Sequence, residues 1–179
     1  MSEQIKRSFF RDGAYNIKRT MELDPAARSK MEVFWLYPHI KAIGIHRIAH
    51  WFWCHNHRFI ARWISNIARH RTGIEIHPGA VIGRGLIIDH GMGVVIGETA
   101  IVGDDCHLYH GVTLGGVGST KVKRHPTLED GVMVGSGAKV LGDITLGAHC
   151  KVGANAVVLK DVPAYATAVG MPARNIERK

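Results

Sequence analysis

The sequence predicts a mainly β solenoid, a left-handed parallel β-helix of hexapeptide repeats, with an N-terminal α-helical domain. Two observations lead to this prediction: an aliphatic residue recurs every sixth position, and glycine often follows it directly. A period of six matches neither the 3.6-residue repeat of an α-helix nor the two-residue alternation of a long strand. It matches short strands joined by turns, whose aliphatic residues point into a thin core shared by successive coils. The thirteen positions form three runs: Ile76, Ile82 and Ile88; Ile96, Val102, Leu108 and Leu114; Leu128, Val134, Val140, Leu146, Val152 and Val158.

A second set of positions supports the same repeat. Glycine supplies the turns, because it adopts a positive φ without a Cβ clash. Four places after many of the aliphatic positions stands a small or apolar residue: Ala80, Ala100, Cys106, Val112, Ala138, Cys150 and Ala156. The solenoid is therefore expected over residues 74–162, as a catalytic β-helix domain with a loop at 115–127.

The residues before this region have helical patterns. Asp24 followed by Pro25 predicts a helix start, with aspartate as the N-cap and proline at the first helical position. Apolar residues at helical spacing predict two further helices, from Pro38 to about residue 55 and over 58–69. Gly73 is expected to end the last helix. Residues 1–73 are therefore predicted to form a helical domain, and residues 163–179 an irregular C-terminal tail.

The six-residue register is interrupted twice. The step from Ile88 to Ile96 is eight residues, and the step from Leu114 to Leu128 is fourteen. Insertions in a solenoid bulge outward and often lie on its binding face. The first interruption contains residues 89–93, and the second is the 115–127 loop with three glycines and the basic residues Lys121, Lys123 and Arg124. Both are predicted to contribute to a site rather than to be simple loops.

Composition limits the class of protein. The net charge is +8, yet no helix-turn-helix, finger or aromatic-platform pattern accompanies it, so nucleic-acid binding is not expected. No apolar run reaches the roughly 18 residues that a membrane span needs, and the first residues lack a signal-peptide pattern. The three cysteines have neither metal nor disulfide spacing, which favours a reducing, cytoplasmic location. The basic loop fits an anionic small ligand.

Among twelve histidines, His90 is the best candidate for a catalytic base. It lies in the first interruption, beside Asp89 and Gly91. A coil of three hexapeptides is about 18 residues long, so Glu75, fifteen residues earlier, falls on the neighbouring coil. A carboxylate bound to one ring nitrogen fixes the tautomer and stabilises the imidazolium, which leaves the other nitrogen free as a general base.

The chain resembles the serine O-acetyltransferases, a family of left-handed β-helix acyltransferases. The resemblance extends over roughly residues 20 to 175, and the DHGMG and RHP segments separate this family from sugar acetyltransferases of the same fold. The matching segments are DPAARS, HRIAHWFW, IEIHPGAVIGRGLIIDHGMGVVIGETAIVGDD, GVTLGGVG, KRHPTLEDGVMVGSGAKVLG, VGANAVVLKDVP and VGMPAR.

This resemblance implies the roles of the site residues. His90 is implied as the base and Glu75 as its orienting carboxylate, at a place where many members have aspartate. The serine-binding groups implied are Asp24, Asp89, Arg124 and His125, the last two reaching the site from a neighbouring subunit. Acetyl-CoA is the implied co-substrate, with no metal. Its implied binding residues are Gly116, Ser136 and Ala154, with Lys160 and Arg174 as phosphate partners.

The implied reaction is direct transfer of acetyl from acetyl-CoA to the hydroxyl of L-serine. It gives O-acetylserine and CoA, the first step of cysteine biosynthesis from serine. A homotrimer is expected, with cysteine as a possible feedback inhibitor. Long members of the family end in an isoleucine that enters O-acetylserine sulfhydrylase; this chain ends at Lys179, so that complex is not expected.

Three alternatives stay open at this point. One is an acetyltransferase for another hydroxyl or amine acceptor, such as a sugar or an antibiotic. A second is a zinc hydratase on the same solenoid, with ligands among His77, His107 and His110. A third is a non-catalytic repeat scaffold, which would leave the basic glycine-rich loop unexplained.

Overall fold

The computed structural model describes residues 9–118 and 122–176; Lys121 of the predicted basic loop lies outside them. Within these residues the N-terminal part is helical and the remainder is a stack of short strands. The helices are α1 (Phe9–Leu23), α2 (Lys30–Leu36), α3 (Pro38–Cys54) and α4 (Arg58–Thr72). None of the described helices is long and apolar enough to cross a membrane.

The strands form three sheets, each contributing one face of a parallel β-solenoid. The chain passes through the sheets in the order A, B, C and then returns to A one coil further on. Sheet A contains β1 (Ile74–Ile76), β4 (Val94–Ile96), β7 (Thr113–Gly115), β10 (Lys139–Leu141) and β13 (Val157–Val158). Sheet B contains β2 (Val81–Ile82), β5 (Ile101–Val102), β8 (Thr127–Leu128) and β11 (Thr145–Leu146). Sheet C contains β3 (Ile87–Asp89), β6 (His107–Tyr109), β9 (Met133–Val134), β12 (Lys151–Val152), β14 (Thr167–Gly170) and β15 (Ala173–Ile176).

The core follows the six-residue pattern. All thirteen aliphatic positions are at most 4% exposed, and the small residues four places after them are fully buried. The two sets alternate around each coil, because one set occupies the strands and the other the turns that follow. The solenoid predicted from the spacing is therefore confirmed.

Three edges separate the sheets, and two of them contain residues that the sequence predicts for the site. The C–A edge consists of residues 90–93, 110–112, 135–138 and 153–156, and the A–B edge of 77–80, 97–100, 116–118, 122–126, 142–144 and 159–161. On the C–A edge successive coils are joined by main-chain hydrogen bonds. Gly111 N–H donates to Met92 O at 2.9 Å, and Gly137 N–H donates to His110 O at 2.9 Å. Residues of different coils are thereby stacked in one column along this edge.

The predicted helix start at Asp24 is wrong. Helix α1 ends at Leu23, and Asp24 accepts a hydrogen bond from Ala26 N–H at 2.8 Å in the turn that follows. The next helix begins instead after Ser29, whose hydroxyl accepts from Glu32 N–H at 3.1 Å. Asp24 and Ser29 both suit an N-cap. Because the Asp24 carboxylate accepts a hydrogen bond within the turn, Ser29 is the residue that caps the helix.

The later helices lie where the pattern predicts them. Helix α3 begins at Pro38, and α4 runs three residues further than predicted, to Thr72. Gly73 ends α4 with a left-handed backbone, at φ 71°. The C-terminal tail, in contrast, is not irregular. Strand β14 pairs in parallel with β12, and β15 pairs antiparallel with β14, so sheet C continues past residue 162.

Helix α1 is attached to the B–C edge of the solenoid, which consists of residues 83–86, 103–106, 129–132, 147–150 and 163–166. Tyr15 hydroxyl donates to Asp105 at 3.0 Å, and Arg19 donates to the carbonyl oxygens of Gly85 at 2.8 Å and of Asp105 at 2.6 Å. Asn16 accepts from Gly85 N–H at 2.6 Å. These bonds hold the C-terminal end of α1, and with it Asp24, over the outer face of sheet C.

Candidate active site

A cleft of about 520 Å³ lies between the helical domain and the outer face of sheet C. The end of α1, the segment that joins α2 to α3, and the strands β3 and β6 form its walls. The lining residues are Thr20, Leu23, Asp24, Pro25, Ala26, Leu36, Tyr37, Pro38, His39, Ile87, Ile88, Asp89, His90, His107 and Tyr109.

His90 stands at the mouth of the cleft, where the chain leaves β3 for the C–A edge. Its backbone is left-handed, with φ 58°, which is uncommon for a residue with a Cβ. Its side chain is 74% exposed, and its Nε2 lies 3.7 Å from Asp89 Oδ1. Its ring centroid is 5.8 Å from that of His110 on the next coil. The imidazole is therefore accessible to a substrate and close to a carboxylate.

Asp24 provides a second carboxylate on the opposite wall. Its Oδ2 accepts from Tyr37 hydroxyl at 2.6 Å, and its Oδ1 accepts from Ala26 N–H. These hydrogen bonds, with a smaller contribution from His90, lower the pKa of Asp24. The same bond raises the pKa of Tyr37 to about 12, so the phenol remains a donor. Asp24 and Asp89 together suit the ammonium group of an amino acid.

Sequence reasoning missed the imidazoles in the wall of the cleft. His39 is buried, which lowers its pKa to about 4, and its Nε2 lies 3.1 Å from Thr20 Oγ1. Burial also lowers the pKa of His107, whose ring stacks on Tyr109 at 4.6 Å. His107 Nε2 is buried, and the described residues offer it no hydrogen-bond partner. Both side chains are thus neutral at physiological pH.

A signal for these residues exists in the repeat itself. Positions directly before and after a buried strand residue point outward, and those of adjacent coils are neighbours. In sheet C, Ile87 pairs with His107 and Asp89 pairs with Tyr109. Reading the outward positions of adjacent coils together would have brought His107 and Tyr109 to Asp89.

Glu75 does not make the contact expected of it. Its carboxylate lies 3.1 Å from Arg69 Nη1 of helix α4, rather than against His90. Glu75 is on β1, and it faces outward beside Val95 of the next coil. Glu75 lies on a strand of sheet A, and a guanidinium from a helix outside the repeat binds its carboxylate. The carboxylate that lies nearest to His90 in this structure is that of Asp89.

Arg124 and His125 lie on the A–B edge, away from the cleft. Arg124 Nη2 is 3.8 Å from Glu98 Oε2. His125 is buried, which lowers its pKa, and its Nδ1 accepts from Thr99 N–H at 3.2 Å. Lys123 donates to the carbonyl oxygen of His125 and so secures the end of the loop. A single chain therefore does not bring this pair to His90.

The expected cofactor residues divide between the same two edges. Ser136 and Ala154 lie on the C–A edge, in the column that begins with His90. Gly116 and Lys160 lie on the A–B edge, and a Cβ at Gly116 would lie 3.2 Å from Arg124 Cγ. Arg174 is exposed on β15. Within one chain the repeat places Gly116 a third of a coil away from Ser136 and Ala154, and the binding roles of all five residues stay predictions.

The zinc alternative finds no support in the described residues. No group of three histidine, cysteine or acidic side chains among them could hold a metal ion. His77 packs against Trp53 on the A–B edge, at 4.8 Å between ring centroids, whereas His107 lies in sheet C. Within one chain, His77 and His107 therefore lie on different parts of the coil, and this alternative would need histidines shared between subunits.

Comparison with known proteins gives a consistent result. Residues 125–160 match the family described as bacterial transferase hexapeptide (six repeats). The serine acetyltransferase of Helicobacter pylori (strain 26695) is 59% identical over 167 residues, which cover 93% of this chain and 98% of that protein.

Two solved structures share the fold. A serine acetyltransferase in complex with cysteine superposes with a TM-score of 0.93 at 40% identity, over 97% of this chain and 72% of the other. The serine acetyltransferase of Brucella abortus strain S19, in complex with coenzyme A, gives a TM-score of 0.91 at 39% identity, over 94% of this chain and 67% of the other. With 59% identity over almost the whole of a relative, this chain belongs to the serine acetyltransferase family.

Proposed function

We propose that this enzyme transfers the acetyl group of acetyl-CoA to the hydroxyl of L-serine, giving O-acetylserine and CoA. The observation that carries the proposal is the cleft in which Asp24, Asp89 and His90 meet, in a chain of this family. An exposed imidazole beside two carboxylates suits an acceptor that has both a hydroxyl and an ammonium group. A sugar acceptor would leave the ionised Asp24 without a cationic partner.

His90 is the proposed general base. It removes the proton from the serine Oγ as that oxygen attacks the thioester carbonyl carbon, and the CoA sulfur then leaves. Asp89, 3.7 Å from His90 Nε2, is placed to stabilise the imidazolium. Glu75 can share this role only if its carboxylate leaves Arg69. A positioned base of this kind contributes about 10² to 10⁴-fold in rate.

The complete site is proposed to form between two subunits of a trimer. The described residues that line the cleft include no lysine or arginine for the serine carboxylate, and Arg124 with its planar guanidinium suits that role. Packing the A–B edge of one subunit against the C–A edge of the next would bring Arg124, His125 and Gly116 to His90. The division of these residues between two edges supports this arrangement.

Cysteine is proposed as a competitive ligand of the same cleft. It shares the ammonium and carboxylate of serine, and a family member has been solved in complex with it. We further propose a cytoplasmic location, since Cys54, Cys106 and Cys150 are all free and a reducing compartment keeps thiols in that state.

The test is release of CoA thiol from acetyl-CoA with L-serine as the acceptor. Wild type is compared with His90→Ala and with His149→Ala as the matched control. His149 is also an exposed edge histidine with φ 58°, but it lies on the B–C edge. We expect release by wild type and by His149→Ala, and a loss of at least about 100-fold for His90→Ala.

Two results would contradict the proposal. Wild-type trimer that releases thiol equally with and without serine would refute serine as the acceptor. A His90→Ala variant that retains wild-type kcat would refute the assigned base.

A further inference from the structure

Lys139 reaches from sheet A to the edge that carries His90. The residue lies on β10 and pairs with Thr113 of β7. Its side chain is half-buried and extends back by one coil. There Nζ donates to the carbonyl oxygen of Gly111 at 2.6 Å and contacts Thr113 Oγ1 at 3.1 Å. The ammonium group is therefore fixed at the C–A edge rather than free in solvent.

This position lies one coil beyond His90. Gly111 belongs to the turn that follows His110, and its N–H donates to Met92 O in the turn of His90. Adjacent parallel strands are about 4.8 Å apart, so the turn that the Lys139 ammonium contacts is stacked one coil above the turn of His90. The His90 and His110 rings are themselves in contact along this column.

The charge of Lys139 is not neutralised by the residues around it. An ammonium group has three protons to donate, and the described residues provide two acceptors, both uncharged. None of the described carboxylates forms an ion pair with Lys139 within 4.0 Å. A half-buried cation with a spare proton, one coil from the turn of His90, is suited to an anion that forms at this edge during the reaction.

We propose that Lys139 stabilises the thiolate of CoA as it leaves, which makes it a further catalytic residue of the proposed reaction. The serine Oγ forms a bond to the acetyl carbonyl carbon, and the C–S bond breaks with its electron pair on sulfur. The serine proton passes to His90, and from the imidazolium to the thiolate. Lys139 keeps its own protons and donates a hydrogen bond to the sulfur while the negative charge is present. The inference rests on the proposed function for the identity of the leaving group.

If Lys139 stabilises the thiolate, CoA binding depends on pH, whereas a purely structural role of Lys139 would produce no such dependence. A free thiol has a pKa of about 8.5, and an adjacent cation lowers the pKa of a bound one. The affinity of wild type for CoA should therefore increase as the pH rises from 7 to 9. If binding lowers the thiol pKa by one unit, CoA binds about tenfold more tightly above pH 9 than at a pH where the thiol is fully protonated. Desulfo-CoA has no thiol, so its affinity should lack this dependence.

The experiment measures binding of CoA and desulfo-CoA between pH 7 and 9 to wild type, Lys139→Gln and Lys151→Gln. Lys151 is an exposed strand lysine of sheet C, and its substitution controls for the loss of one positive charge. We expect Lys139→Gln to bind both ligands equally at every pH, and Lys151→Gln to keep the wild-type preference. Turnover of Lys139→Gln should fall by about 10² to 10³-fold, as when one transition-state donor is removed.

Two outcomes would overturn the inference. One is an unchanged preference for CoA over desulfo-CoA in Lys139→Gln. The other is an equal loss of both ligands, which would show that Lys139 only supports the Gly111 turn. The assay measures CoA binding in the absence of serine, so its result does not depend on which acceptor the enzyme uses. If wild type failed to acetylate serine, the proposed function would be refuted, but the binding data would still show whether Lys139 stabilises the thiolate.

Discussion

At the scale of single residues, hydrogen bonding keeps Asp24 ionised while burial keeps neighbouring histidines neutral. Asp24 accepts from a phenol and a main-chain amide, and both favour its ionised form. His39 is buried and His107 is half-buried in the wall of the same cleft, and this burial favours their neutral form. The cleft therefore presents a fixed negative charge beside uncharged rings, which suits the cationic end of an amino acid.

Replacing Tyr37 by phenylalanine tests the role of that phenol. The variant loses the 2.6 Å bond to Asp24, and we expect the serine KM to rise about three- to tenfold with little change in kcat. The bond lowers the pKa of Asp24. The contribution of the ionised Asp24 to serine binding is therefore present above the ordinary carboxyl pKa and is lost as the pH falls through the lowered pKa. In Tyr37→Phe the loss should begin at a higher pH. Serine KM measured across the acid range gives both quantities.

The matched control for that variant is Tyr165→Phe. Tyr165 is exposed, lies on the B–C edge and stacks on His149, away from the cleft. We expect it to keep the wild-type KM. Equal values of KM for Tyr37→Phe and wild type would contradict the positioning role.

The two possible partners of Glu75 can be separated by kinetics. If its carboxylate acts on His90 during the reaction, Glu75→Gln should lower kcat by about tenfold and move the acid limb of the pH–rate profile to lower pH. Arg69→Gln should move that limb to higher pH, because it releases the carboxylate from the guanidinium 3.1 Å away. Arg71→Gln, an exposed residue of the same helix, is the control. Profiles that coincide for all variants would assign Glu75 to Arg69 alone.

At the scale of secondary-structure elements, the edges require glycine where coils touch. Gly135 begins the C–A turn that contains Ser136, and its backbone lies against that of the next coil. A Cβ there would lie 2.7 Å from Ala154 N and 2.9 Å from Val152 O. Main chain cannot move away as a side chain can, so the close approach of coils depends on this glycine.

A pair of glycine substitutions measures this constraint. Gly135→Ala should lower the free energy of unfolding by about 1–3 kcal/mol, because it overpacks the edge. Gly44→Ala in helix α3 has no atom within 4 Å of the new Cβ and should raise that free energy by about 0.5–1 kcal/mol. Urea unfolding at one protein concentration compares them. A stabilised Gly135→Ala variant would contradict the packing argument.

At the scale of the whole molecule, the proposed trimer makes a quantitative prediction. His90→Ala and Arg124→Ala are each expected to be nearly inactive. When the two are unfolded together in equal amounts and refolded, an interface with both wild-type residues should form in about one case in four. Activity should therefore recover to about a quarter of the wild-type value. No recovery, with mixed trimers present, would place both residues in the site of one subunit.

The sequence determined the solenoid, since a buried aliphatic residue must recur with the period of the coil and thirteen of them do. It also located His90 and Asp89, because an interruption of that period can only be accommodated outside the core. The C-terminal hairpin and the true helix start at Ser29 were missed, since prolines and a competing cap residue obscured local signals.

Tertiary structure alone decided what the repeat does not encode. The helical domain lies outside the period, so the pairing of Tyr37 with Asp24 and of Arg69 with Glu75 could not be read from spacing. Arg124 and Gly116 are separated from Ser136 because each coil has three edges and these residues lie on two different ones, which only the folded structure shows. Spacing determines which residues face inward, because burial depends on the period; contacts between outward residues depend on where a second element packs, and that is a property of the folded chain.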